Sequence, residues 1–195
     1  MIAGVILSAG ASRRMGTPKA LLDYRGETFL GRLIRIVGQV GDPVIVVLGN
    51  HADEIGASVK VRATFAINPD PDRGQLSSLQ TALQKLPRES EGFLFIPVDC
   101  PTVEEHTVRQ LSDAFARRAP DTLFVIPRFG DKRGHPVFAA RTIATELLQL
   151  PPTGQAREVV HRYVDRTIYV DVDDPGILTD IDDPTAYRQL LESAR

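Results

Sequence analysis

Short apolar runs rich in β-branched residues recur along the chain, separated by segments whose apolar positions return every three or four residues. Runs that stay apolar instead of alternating belong to strands buried on both faces, the habit of a parallel sheet with helices packed on either side. Strands are therefore predicted at about residues 2–7 (IAGVIL), 43–48 (PVIVVL), 61–67 (VRATFAI), 93–98 (FLFIPV) and 122–126 (TLFVI). Two weaker runs, 135–140 (HPVFAA) and 167–172 (TIYVDV), are expected as later or edge strands, the second because it alternates in period two. Helical spacing predicts helices over 28–38, 76–86, 103–118, 140–150, 155–164 and 184–193. Thr28 and Thr102 are placed to cap two of them, and Asp183-Pro184 supplies a cap followed by proline at the first helical position. No repeat, low-complexity tract or long linker divides the chain, so residues 1–195 are read as one α/β domain.

Composition narrows the function classes. A chain of 195 residues can bury about 70% of its unfolded surface and needs no disulfide or structural metal to hold a core. Cys100 is the sole cysteine, which excludes an internal disulfide framework and a cysteine-based zinc cluster and suits a reducing cytoplasm. With 23 basic and 25 acidic residues the net charge is -2, so no global basic field is available for nucleic acid. Any polyanion has to be met locally. The opening MIAGVILSAGASRRMG has no basic leader, and its apolar run is too short to span a bilayer; neither export nor a membrane anchor is expected.

The local chemistry starts where the first strand ends. Ser8-Ala9-Gly10-Ala11-Ser12-Arg13-Arg14-Met15-Gly16-Thr17-Pro18-Lys19 is a loop of small residues carrying three cations. Ligands of parallel sheets collect at the carboxyl ends of strands. Small residues let backbone N–H groups approach an anion, and Arg14 and Lys19 can neutralise a triphosphate. The spacing is neither that of a P-loop, since five residues separate Gly10 from Gly16 and Thr17-Pro18 precedes Lys19, nor that of a dinucleotide fingerprint. A dehydrogenase is therefore remote.

Asp99 stands where an apolar strand leaves the core, a position suited to holding Mg2+ against substrate phosphates, with helix capping as the competing role. Cys100 beside it is read as packing, because no histidine partner for a nucleophile is identifiable. Asn68-Pro69-Asp70 follows the third strand, and Gly74-Gln75-Leu76-Ser77-Ser78 opens a helix whose free amides and hydroxyls can meet an anion or a base edge, or simply cap the helix. Gly134-His135-Pro136 sits at a turn before a short strand. His51, His106 and His161 have no partners at metal-ligand spacing and are assigned to surface or helix faces. Asp171, Asp173 and Asp174 are read as solvated loop charges.

The run LSAGASRRMGTPKALL resembles the signature loop of the molybdenum-cofactor nucleotidyltransferases, most closely their cytidylyltransferase branch. The resemblance implies a Rossmann-like, mostly parallel sheet of the nucleotide-diphospho-sugar transferase kind. It implies that Leu7, Ser8, Ala9, Gly10 and Ser12 wrap a nucleotide triphosphate whose phosphates meet Arg14 and Lys19. VDCP is similar to the family's DxP motif, whose aspartate, here Asp99, binds Mg2+. ILTDIDDPTAY resembles a C-terminal element that returns a second ligand, Asp180 first or else Asp182. NPDPDRGQLSSL resembles the stretch against base and ribose, which brings in Asn68, Gly74, Ser77 and Ser78. RGHPV and GQAREVVHRY resemble segments near the acceptor, implying Gly134, His135, Pro136, Gly154 and Arg157 there. Ser8 stands where alanine is usual, and Ala9-Gly10 stands where the guanylyltransferase branch has two glycines, which implies a pyrimidine.

The implied reaction is attack by the phosphate of a pterin acceptor on the α-phosphate of CTP, with Mg2+ and release of pyrophosphate; Lys19, Arg14 and Asp99 are its expected catalytic residues. Alternatives are the same chemistry with a sugar or alcohol phosphate or with GTP, and a non-catalytic nucleotide sensor or a chaperone handing cofactor to a molybdoenzyme.

Overall fold

The computed structural model describes residues 1–193. In chain order the elements are β1 (Ile2–Ser8), β2 (Asp23–Tyr24), β3 (Glu27–Thr28), α1 (Phe29–Val37), β4 (Val44–Leu48), α2 (Ala52–Ser58), β5 (Thr64–Ile67), α3 (Gln75–Leu83), β6 (Gly92–Pro97), α4 (Glu105–Ala116), β7 (Phe124–Phe129), β8 (Lys132–Arg133), β9 (Val137–Ala140), α5 (Ile143–Gln149), α6 (Ala156–Arg162), β10 (Thr167–Asp171) and α7 (Pro184–Ser193). Seven strands lie side by side in the order β10-β7-β9-β6-β1-β4-β5, with β8 paired to β7 and β2-β3 forming a separate ribbon. β6, β1, β4 and β5 run parallel, as do β7 and β10, whereas β9 is antiparallel to both its neighbours.

The unbroken apolar runs of β1, β4 and β6 are explained by two cores, one on each face of the sheet. One is built on Phe29, Leu33, Leu111 and Phe115, the other on Leu79, Leu83, Ile143, Leu147 and Val159. Side chains that alternate along β1 serve both, Ile6 on the first face and Val5 and Leu7 on the second. From β1 the chain crosses through α1 to β4, while from β6 it crosses through α4 to the other side. Connections leaving adjacent parallel strands in opposite directions open a crevice at their carboxyl ends, where ligands of open α/β sheets bind. No helix is long and apolar enough to cross a membrane among the described residues.

The structure corrects several expectations. α2 is not visible in the hydrophobic pattern, because its seven residues bury only Ile55. The weak run at 135–140 gives β9, an interior strand between β6 and β7, and the run at 167–172 gives the edge strand β10. Residues 61–63 stay outside β5, and the helices predicted over 103–118 and 140–150 are shorter at both ends. Thr28 caps α1 as expected, its Oγ1 accepting from Gly31 N at 3.0 Å. Asp183 caps α7 by accepting from Thr185 N and Ala186 N.

Thr102 does not cap α4. That role falls to Asp174, which the sequence placed in solvent but which is 3% exposed. Its carboxylate accepts from Glu104 N at 2.9 Å, Thr107 Oγ1 at 2.7 Å and Gly176 N at 2.8 Å. A carboxylate with three donors tolerates burial that a bare one would not. Arg32 of α1 is buried in the same region, donating to Pro101 O and Val103 O and lying over the Tyr24 ring. Both fix the segment that follows Asp99.

Candidate functional site

The Ser8–Lys19 loop closes over the crevice through its own backbone. Ser12, at φ 49°, accepts at its carbonyl from Met15 N and Gly16 N, and its Oγ accepts from Lys19 N at 3.1 Å. Lys19 then begins a short 3-10 turn, Lys19–Leu21, that anchors Ala20 in the core. This fixes the base of a flexible cationic side chain on an ordered element.

Lys19 Nζ lies 3.0 Å from Asp99 Oδ2 and 2.6 Å from Asp182 Oδ1. Arg14 donates to the other Asp182 oxygen at 2.8 Å. Asp180 completes the group: one oxygen from each of Asp99, Asp180 and Asp182 lies within 4.8 Å of the others. The C-terminal carboxylates reach this position because Ile181 N donates to Asp99 O at 2.9 Å, tying the two segments together. Three hard oxygen donors at this spacing suit Mg2+ or Mn2+ and not a thiolate-loving metal.

Electrostatics follow the geometry. Burial is the largest single influence on Lys19 and lowers its pKa, but the hydrogen bonds and charges of Asp182 and Asp99 together outweigh it and raise the pKa above the ordinary value. The Lys19 hydrogen bond holds Asp182 below the usual carboxylate range, with Arg14 adding to it. Asp180 is pushed up to about 6, first by desolvation and then by the charges of Asp99 and Asp182. Burial, followed by the charge of Asp99, drives the Cys100 thiol well above its usual value, which disfavours the thiolate form that a nucleophile needs.

A cavity of about 290 Å3 adjoins the ion pairs. Of the residues expected to meet the nucleotide, Leu7 lines it from β1, Ser8, Ala9, Gly10 and Ser12 from the loop, and Gly74 and Ser78 from the start of α3. Arg14, Lys19, Asp99 and Asp182 line it as well. Gly74 opens α3 at φ 91° and ψ -175°, a backbone that side-chain-bearing residues rarely adopt. Asn68 and Ser77 are placed differently. Both are buried, and Asn68 Nδ2 donates to Ser77 Oγ at 2.8 Å and Ser78 Oγ at 3.0 Å while its Oδ1 accepts from Asp70 N. They brace the turn behind the cavity.

A second cavity of about 420 Å3 lies alongside and shares Leu7, Gly74 and Gln75 with the first. Gly154 and Arg157 line it, as expected of the acceptor side, together with Arg73 and Phe95. Gly134, His135 and Pro136 line neither cavity. A Cβ on Gly134 would run into the Ile177 carbonyl, His135 N donates to Ile177 O at 3.0 Å, and the His135 ring packs edge-on against Phe95 at 5.9 Å. This segment holds the 3-10 turn Pro175–Leu178 that precedes Asp180.

Arg73 and Gln75 also touch the second cavity; Gln75 directly follows the glycine that opens α3, the local signal that points to it.

Residues 4–167 match the MobA-like NTP transferase domain, a span that includes the whole loop and Asp99. The chain belongs to this family. A family relative from Rhodopirellula baltica, named as a probable molybdenum cofactor guanylyltransferase, is 30% identical over 146 residues, 72% of this chain and 68% of that protein. A Bacillus cytotoxicus protein of the same name is 27% identical over 114 residues, 57% of this chain and 55% of its own. The chain spans about half the length of several of the curated relatives it matches. Among solved structures, Rv0371c of Mycobacterium tuberculosis is 34% identical, covers 98% of this chain and 97% of that one, and superposes with a TM-score of 0.85. A further structure of Rv0371c, in complex with manganese, is 32% identical over 98% of both chains, with a TM-score of 0.76. The family match ends before Asp180 and Asp182, so their place in the site is known from geometry alone.

Proposed function

We propose that the protein is a nucleotidyltransferase of molybdenum cofactor biosynthesis that moves CMP from CTP to the phosphate of a molybdopterin acceptor, with Mg2+. The observation that carries this reading is the contact of Lys19 with Asp99 and Asp182 inside one cavity at the carboxyl ends of β1 and β6. Cations for a polyphosphate and oxygens for a divalent ion share a single crevice there. An acceptor phosphate oxygen forms a bond to the α-phosphorus of the nucleotide as the bond to the β-phosphate bridging oxygen breaks, and pyrophosphate leaves. The acceptor phosphate is already ionised near neutral pH, so the reaction needs positioning and charge neutralisation more than a general base.

In this reading Lys19 and Arg14 bind the triphosphate, and loop amides around Ala9 and Gly10 hold the nucleotide. The second cavity, with Arg73 and Arg157, receives the acceptor phosphate. Asp99, Asp180 and Asp182 would hold the metal, which when bound offsets negative charge on the phosphates. The family relative crystallised with manganese supports a hard divalent ion. Ala9 beside Gly10, where two glycines mark the guanylyltransferase branch, supports the smaller pyrimidine base.

The names of the curated relatives support GTP as the second reading. A thermal-shift screen of CTP, GTP, ATP and UTP with Mg2+ separates the two, since the bound nucleotide raises native stability by mass action. CTP should give the largest shift and support pyrophosphate release with a molybdopterin acceptor. A larger shift with GTP replaces the base assignment. Asp99→Asn turning over at the wild-type rate would remove the metal assignment, and a wild type that binds nucleotide without ever releasing pyrophosphate would favour a sensor.

A further inference from the structure

We infer that Asp182 is a positioning residue that occupies Lys19 and Arg14 in the free protein and must release them before they can hold a triphosphate. The inference rests on the nucleotide-binding reading above. It starts from how the two Asp182 oxygens are used: Oδ1 accepts from Lys19 at 2.6 Å and Oδ2 from Arg14 at 2.8 Å. Both cations assigned to the phosphates are thus held by the same carboxylate. Asp99 takes a second Lys19 bond at 3.0 Å, while Asp180 has no hydrogen bond to either cation.

The two contacts are unequal. Arg14 is 68% exposed, so its ion pair is screened and easily exchanged. Lys19 is only 12% exposed and bridges two carboxylates, so its charge-assisted bonds are the ones that resist release. Lys19 also occupies oxygens of Asp99 and Asp182 that a divalent ion would use. Ammonium and metal therefore compete for the same pair of carboxylates. An incoming triphosphate would give Lys19 a new anionic partner and free those oxygens, and Asp99 and Asp182 engaged by a divalent ion would leave Lys19 free to turn toward the phosphates. Each event favours the other, and the coupling is reciprocal. Without metal, the Asp182 clasp opposes nucleotide binding.

The test compares Asp182→Asn with Asp180→Asn, titrating CTP calorimetrically in EDTA at pH 8. Both changes remove one charge from the same cluster, but only the first opens the clasp. Asp182→Asn should bind metal-free CTP about tenfold more tightly than wild type, within the usual range of coupling between sites, and Asp180→Asn should gain clearly less. Equal gains in the two variants would reduce the effect to general repulsion and overturn the inference. Weaker binding by Asp182→Asn would overturn it in the opposite sense, by making the clasp a preorganising one. In the same titrations wild type with Mg2+ reports on the underlying reading: a wild type that binds no nucleotide with or without metal removes that reading and the inference together, whereas tight wild-type binding beside an unresponsive Asp182→Asn removes the inference alone.

Discussion

Replacing Asp174 with alanine should cost more stability than any other single carboxylate change of the C-terminal acidic stretch. The side chain is buried and satisfies three donors, the amides of Glu104 and Gly176 and the hydroxyl of Thr107. Thr107 is 0% exposed and Gly176 is buried, so in the folded protein both depend on the carboxylate for a hydrogen-bond partner. Each buried donor left without a partner costs about 1–3 kcal/mol, and the amide of Glu104 at the start of α4 loses a cap worth about 1 kcal/mol. Asp174 also borders an open groove of about 660 Å3, through which water can rehydrate part of the site. The low end of each range is therefore appropriate, for a total of about 3 kcal/mol against a total stability of about 5–15 kcal/mol. Urea denaturation at 25 °C measures this through a lower midpoint at unchanged slope. Asp174→Asn keeps the shape and part of the hydrogen bonding and should lose about half as much. A loss below about 1 kcal/mol in Asp174→Ala would refute the account of this carboxylate as a structural cap. Because Asp174 caps the Pro175–Leu178 turn that precedes Asp180 and Asp182, the alanine variant should also weaken Mn2+ binding at the proposed site, measured by electron paramagnetic resonance.

Four further outcomes are expected. Lys19→Met should reduce pyrophosphate release by about a hundredfold or more, and undiminished turnover would remove Lys19 from the reaction. Gly74→Ala meets no neighbour within 4 Å, so its cost is conformational, about 1–3 kcal/mol from the φ of 91° in thermal or chemical denaturation. Gly134→Ala, whose Cβ would collide with the Ile177 carbonyl, should destabilise by strain and disturb the segment leading to Asp180; a variant as stable as wild type would contradict the packing described. Burial lowers the pKa of His135 from its ordinary value of 6.5, against the opposing influence of Asp99, so the unfolded chain binds a proton there that the native state refuses. Stability contributed at this position is present above pH 6.5 and is lost as pH falls below it. His135→Gln should flatten that fall between pH 7 and pH 5 in a series of urea melts, and an unchanged slope would dissociate the residue from it.

Local signals determined a good deal of this protein. Unbroken apolar runs identified the strands of a sheet covered on both faces, since only two-sided burial removes the need for polar alternation in IAGVIL or FLFIPV. The loop chemistry of Arg14 and Lys19 and the placement of Asp99 at a strand end were legible for the same reason: charge at the edge of an apolar run is conspicuous. Long-range decisions were not. Nothing in HPVFAA says that β9 runs antiparallel between β6 and β7, because strand order depends on which crossover packs best. Asp174 and Asp182 carry the same side chain in the same acidic stretch, yet one caps a helix and the other grips two cations. Asn68, Ser77 and the Gly134–Pro136 turn, which the local pattern offered as ligand contacts, line neither cavity and make hydrogen bonds or packing contacts that only the fold reveals. Residue type fixes what a group can do, but burial and partners come from segments up to 168 positions apart, as in the Arg14–Asp182 pair, and only the packed fold brings those together.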